Sequence, residues 1–196
     1  MKLLPLLQAT LGAALLSLTL STSAVPAPAP SNDPNTYSSQ EIVTKANALF
    51  GATTEGLARA IERVFAEKGR PNGYITGEEG GGAVVVGLRY GQGDLFMKTT
   101  GDRGTKVYWQ GPSVGFDFGG NASKVFVLVY NLPNTEAIYQ RFPGVEGSAY
   151  VVAGLGVNYQ QNGRIILAPM RTGVGLRGGA NVGYLSYSKE RSILPF

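Results

Sequence analysis

The chain changes its hydrophobic rhythm once. Between Ser38 and Gly69 apolar residues recur at helical spacing: Ile42, Ala46 and Leu49 mark one stripe, and Leu57, Ile61, Val64 and Phe65 mark a second. Ser38 and Glu41 stand at capping-box spacing ahead of the first stripe, which Phe50-Gly51 stops. The second starts near Thr54 and ends on Lys68-Gly69, a basic last turn and a left-handed cap, with Pro71 preventing continuation. This predicts a helical hairpin over residues 38–69 that packs on something else.

From Asn72 onward the pattern becomes short runs rich in Val, Tyr, Phe and Gly between turn residues, the signature of antiparallel strands. They fall near Tyr74–Glu78, Ala83–Tyr90, Asp94–Thr99, Lys106–Gln110, Ser113–Phe118, Lys124–Tyr130, Ser148–Gln160, Arg164–Met170 and Gly173–Tyr187. Asn162-Gly163 predicts a hairpin with a type I′ turn. Asn134–Arg141 reads as a brief helix with Asn134 as its N-cap and Pro143 beyond its end. The run Lys124–Tyr130 is apolar on both faces, so that strand is covered on two sides and the helices lie over part of the sheet. Short strands with frequent glycine predict a mainly β fold: a small antiparallel β-barrel over residues 70–196 with an N-terminal two-helix layer.

Ahead of the helices, residues 1–24 read as a signal peptide, with Lys2 as the positive region, Leu11–Leu20 as the apolar stretch and small residues ending at Ala24. Residues 25–37 alternate proline with small and polar residues, the composition of an extended linker. The uninterrupted apolar part is too short to span a bilayer, so a secreted protein that is not integral to the membrane is expected. Cysteine is absent from the sequence, which removes disulfides, thiolate chemistry and lipidation at a cleavage-site thiol; a periplasmic location fits. The net charge of +4 comes without any Lys/Arg run, so no nucleic-acid partner is expected, whereas anionic envelope polymers or lipid head groups are compatible.

Candidate chemistry is sparse. Histidine is absent too, which excludes a Ser–His–Asp relay, and no calcium-loop or Walker string is present. Gly173–Gly178 matches G-x-G-x-x-G, but strand-like residues follow where a dinucleotide site needs a helix. Glu78 and Glu79 are neighbours in a strand, so they point to opposite faces and cannot straddle one bond. We therefore expect no enzyme, no catalytic residue, no metal and no cofactor. The informative feature is a repeated one: Arg89, Asp117 and Arg177 each have glycine two positions before and two after, so each charge rises from a bare glycine track on one strand face. If that face lines a cleft, Asp117 would orient an arginine fork that recognises an anionic group. Otherwise the three charges are solvent-exposed and the glycines serve strand coiling. Trp109, the sole tryptophan, is a candidate for stacking on a sugar ring or, preferably, for filling the core.

Several contiguous motifs carry a resemblance: Gly69-Arg-Pro-Asn-Gly-Tyr-Ile75, Gly77-Glu-Glu79, Val85-Val-Gly-Leu-Arg-Tyr-Gly91, Tyr108-Trp-Gln-Gly-Pro-Ser113, Gly115-Phe-Asp-Phe-Gly-Gly-Asn121, Val129-Tyr-Asn-Leu-Pro133 and Arg171-Thr-Gly-Val-Gly175. With them the chain closely resembles the EipA (envelope integrity protein A) family, a domain-of-unknown-function family of alphaproteobacteria. The resemblance implies a periplasmic small β-barrel that contributes to cell-envelope integrity, and it brings no catalytic residues. More faintly, Gly111–Asn131 and Tyr184-Leu-Ser-Tyr187 resemble the SYLF lipid-binding domain, which implies a lipid or anionic-glycan ligand. The expected function is thus a non-enzymatic periplasmic protein that supports the envelope by binding an anionic lipid, glycan or protein partner through Arg89, Asp117, Arg177 and Trp109. The alternative is a carboxylate-dependent hydrolase of envelope polymers using two of Glu78, Asp94, Asp102 and Asp117.

Overall fold

The computed structural model describes residues 33–51, 55–117, 123–152, 154–172 and 183–192; side chains at 55, 81–87 and 113–117 also lie outside the description. The signal-peptide residues and most of the linker fall outside it. The linker's last residues do not stay extended as expected. Asp33–Thr36 forms a turn, and Tyr37 is buried, its amide donating to the Pro71 carbonyl at 2.8 Å and its ring packing edge-on against Tyr74.

Helix α1 (Ser39–Phe50) starts where the capping box predicts. The Ser38 hydroxyl accepts from the Glu41 amide, the Glu41 carboxylate accepts from the Ser38 amide, and Gly51 closes the helix at φ +81°. Helix α2 (Glu55–Lys68) ends on Gly69 at φ +78°. Their apolar faces, Ile42 and Ala46 from α1 and Leu57, Ala60, Ile61 and Val64 from α2, pack on the sheet.

Among the described residues the sheet has nine strands: β1 (Gly73–Met97), β2 (Thr105–Asp117), β3 (Ser123–Tyr130), β4 (Arg141–Pro143), β5 (Tyr150–Val152), β6 (Leu155–Val157), β7 (Gln160–Asn162), β8 (Ile165–Arg171) and β9 (Tyr184–Ser188). All described pairings are antiparallel, in the order β4-β9-β2-β1-β3-β8-β6-β5, with β7 also on β8. The sheet curls until its β4 edge returns to β7. A bridge joins Gly144 to Gln160, the Val145 amide donates to the Tyr159 carbonyl at 2.8 Å, and Asn162 Nδ2 donates to the Arg141 carbonyl at 2.9 Å. The expected small barrel with a helical layer is what forms.

Three expected strands are one. The glycine-rich stretches 79–82 and 91–93, expected as breaks, instead let β1 bend: its first limb pairs with β3 from Gly73↔Val129 to Glu79↔Ser123, its second with β2 from Ala83↔Asp117 to Leu95↔Thr105. Conversely, Ser148–Gln160 splits into β5, β6 and β7, with Gly154 at φ +86° turning β5 into β6. Asn134 caps a shorter 3-10 turn, Thr135–Ile138, because Arg141 is recruited into β4 against β9. The β7–β8 hairpin exists, but Asn162 pairs with Ile165, so the turn residues are Gly163 and Arg164. Positive φ at Gly163 alone gives the sign pattern of a II′ turn. Pro169 sits where pairing to β7 has ended at Leu167 and pairing to β6 begins at Met170, a gap that needs no amide donor.

The two faces of β3 go as expected. Phe126, Leu128 and Tyr130 meet the helices, while Val125, Val127 and Val129 face the barrel interior. That interior is filled, with Ile75, Leu95, Val107, Trp109, Phe142, Leu167, Leu185 and Tyr187 among its residues.

Candidate functional site

Strand alternation puts Glu79 on the same face as Ile75, Arg171 with Ile165 and Leu167, and Arg89 with Gly91, Gly93 and Leu95, so all three charges face the barrel interior. The bend in β1 brings them together. Its limbs cross in backbone contact at Gly77 and Gly93, where an added Cβ on Gly77 would lie 2.4 Å from the Gln92 carbonyl oxygen and 2.7 Å from the Trp109 ring. Gly91 is bare for the same reason, since a Cβ there would overlap the Trp109 indole at 2.0 Å. Gly91, the glycine after Arg89 in its track, is therefore space for Trp109.

Glu79 is only 6% exposed, and its carboxylate is fully engaged. Oε1 accepts from Arg171 Nε at 2.8 Å and pairs with Arg89 Nε at 3.0 Å; Oε2 accepts from Trp109 Nε1 at 2.9 Å and from Arg171 Nη2 at 3.4 Å. Asn158 Oδ1 takes Arg171 Nη1 at 2.7 Å and fixes the far side of that guanidinium. Burial alone pushes the Glu79 carboxyl up, but the Arg171 and Arg89 charges and the hydrogen bonds from Arg171 and Trp109 outweigh it, leaving it below the usual carboxylate range. Such a group is an ionised clasp, not a proton donor. Beside it the buried Tyr187 hydroxyl has no hydrogen-bond partner; burial raises its pKa, the Arg171 charge opposes and the Glu79 charge adds.

The clasp borders a cleft of about 340 Å³ lined by Glu78, Glu79, Tyr90, Gln92, Tyr108, Trp109, Gln110, Ser188, Arg191 and Ser192, with Gly80 and Gly91. Its strands, β1, β2 and β9, lie away from β5 and β6, on which α2 packs.

Residues 35–196 match the family described as Envelope integrity protein A. The chain belongs to the EipA family. Membership implies a role in envelope integrity, and every residue of the clasp and the cleft lies within the EipA span. A crystal structure of a β-barrel-like, uncharacterised protein from Brucella abortus is 48% identical, covers 83% of this chain and 99% of its own, and superposes with a TM-score of 0.74. No curated protein matches the chain.

Of the residues singled out in the sequence, Arg89 and Trp109 come together on Glu79. Trp109 fills the core, 2% exposed, while also lining the cleft. Arg177 and the side chain of Asp117 lie outside the described residues; the Asp117 backbone pairs with Ala83. The orienting carboxylate found beside Arg89 is Glu79. Of the three hydrolase candidates with described side chains, Glu78 lines the cleft, whereas Asp94 pairs with Lys106 and Asp102 with Lys45 of α1. Glu79, Arg171 and Asn158 were missed. The available signal was alternation: Arg171 ends an apolar run in phase with Leu167, and Glu79 is in phase with Ile75. Among the described residues no helix is long and apolar enough to cross a membrane, and no group of three acidic side chains stands together as a metal site.

Proposed function

We propose that this protein is a non-enzymatic periplasmic binding or scaffold module that supports the envelope by taking an anionic group of a lipid, glycan or protein partner into the cleft beside the clasp. The observation that carries this reading is one buried carboxylate shared by two guanidiniums, Arg89–Glu79–Arg171, with Arg191 on the cleft wall. Three guanidiniums against Glu78 and Glu79 leave a positive surplus at a site where water is partly excluded. Guanidiniums locked by hydrogen bonds lose little freedom when an oxyanion arrives, which favours oxyanion recognition over a diffuse charge effect. Glu79 has its oxygens occupied and its ionised form favoured, so an acid–base role has no support from it.

The test is co-sedimentation of the mature protein with phosphatidylglycerol and phosphatidylcholine vesicles, alongside binding to immobilised uronic-acid and neutral oligosaccharides. Retention on an anionic probe, weakened by salt and reduced by Arg191→Ala, is expected. Equal retention on neutral and anionic probes, or none on either, would overturn the reading.

A further inference from the structure

The register on the outer face of β1, β2 and β9 sets out an ordered array. Tyr90 stands opposite Gln110, Gln92 opposite Tyr108, and Tyr108 opposite Ser188. Directly opposed residues in an antiparallel pair share a face with Cβ atoms about 4.5–5.5 Å apart. The two cross-strand pairs therefore form a checkerboard of phenol and carboxamide, with hydroxyls from Ser188 and Ser192 and a guanidinium from Arg191 along the same cleft. Among the described lining residues there is no Val, Ile, Leu, Met or Phe.

From this we infer that the cleft's ligand is an acidic oligosaccharide segment. The inference rests on the reading of the cleft as a binding site and adds the class of ligand. A pyranose ring presents an apolar C–H face and a rim of hydroxyls that both donate and accept. Tyrosine offers a flat apolar body with a polar tip, and glutamine carries a donor and an acceptor on one rigid plane, which together match a ring and its neighbouring hydroxyls. An acyl chain or an apolar peptide side chain needs aliphatic walls, and these are missing here. The volume, about 340 Å³, lies at the small end of ligand pockets, and exposed Gln92, Arg191 and Ser192 leave it open, so a chain can pass through while a short stretch is held. The acid on the sugar answers to Arg191 and to the guanidiniums behind the wall.

The experiment is binding of the mature protein to a printed panel of uronic-acid and neutral oligosaccharides, with Gln92→Ala, Tyr108→Ala and Arg191→Ala as variants and phosphatidylglycerol vesicles as a second probe. Wild type is expected to bind acidic oligosaccharides. Gln92→Ala and Tyr108→Ala should each weaken that binding about tenfold, the scale of one good hydrogen bond, with unfolding midpoints unchanged, and Arg191→Ala should erase the preference for acidic over neutral sugars. Gln92 is exposed, so its variant carries the test should Tyr108→Ala fold poorly. Saccharide binding that ignores these variants overturns the inference. Vesicle binding that needs Arg191, without any saccharide binding, overturns it while the cleft reading stands. Failure of both probes overturns both.

Discussion

Gly77 and Gly93 lie on one strand and yet touch: a Cβ on Gly93 would stand 3.0 Å from the Gly77 Cα and 2.3 Å from the Thr76 carbonyl oxygen. Neither neighbour is a movable side chain. The contact fixes how far β1 folds back, and that in turn sets Arg89 against Glu79 from the other limb.

Gly93→Ala forces backbone apart at this crossing. Overpacking of a tight interior costs about 1–3 kcal/mol, and the Arg89–Glu79 pair would loosen with it. Urea unfolding should show a lower midpoint for Gly93→Ala and a near-normal one for Gly80→Ala, where an added Cβ meets nothing within 4 Å. Equal midpoints would mean that the crossing yields easily.

Glu79→Gln removes the carboxylate charge that the Arg89 and Arg171 guanidiniums share. Breaking a buried pair by deleting one partner costs about 3–5 kcal/mol, so the variant should be strongly destabilised by thermal or urea unfolding. The pH profile follows from the direction of the shift. A carboxyl held below its unfolded value contributes stability that is present above about pH 4.3 and is lost as pH falls through its folded value. Wild-type stability should therefore be flat above about pH 5 and decline below it. Hydrogen bonds from Lys98 and the Ser38 amide are the largest causes that hold Glu41 at about 2, so it titrates in the same acid window. Glu79→Gln should accordingly flatten only part of the decline. A variant with the wild-type slope would show that Glu79 is not held ionised.

Ser38→Ala deletes the hydroxyl that accepts from the Glu41 amide at 3.2 Å. Loss of such a cap costs about 1 kcal/mol. Because α1 covers one face of the sheet and not the clasp, the change should lower the unfolding midpoint while leaving ligand affinity untouched; a matching loss of affinity would tie the helical layer to the site.

The helices and the two-sided strand were legible because their signals are local: a capping box, a glycine cap, and Val125, Val127 and Val129 alternating with Phe126, Leu128 and Tyr130. The bend in β1 was not. Glycine in a strand reads equally as a stop or as room for something, and only the position of the Trp109 ring, brought in from β2, decides which. The same non-locality hid the site. The glycine flanks singled out Arg89, but its partner Glu79 sits on the far limb of the strand, and Arg171 arrives on β8 beside β3. Pleat parity says which residues share a face; it could not say which face turns inward, and at Arg89 the apolar neighbour Leu88 is the exposed one.

The most direct measurement uses the protein's own reporter. Trp109 is the sole tryptophan, is buried, donates to Glu79 and lines the cleft. Its emission should be blue-shifted in the native state and should change saturably as an anionic probe, uronic-acid oligosaccharide or phosphatidylglycerol vesicle, is titrated in. Salt should weaken that change and Arg191→Ala should suppress it. An emission spectrum indifferent to every anionic probe, or one that responds equally to neutral probes, would contradict an anion-binding cleft built around the Arg89–Glu79–Arg171 clasp.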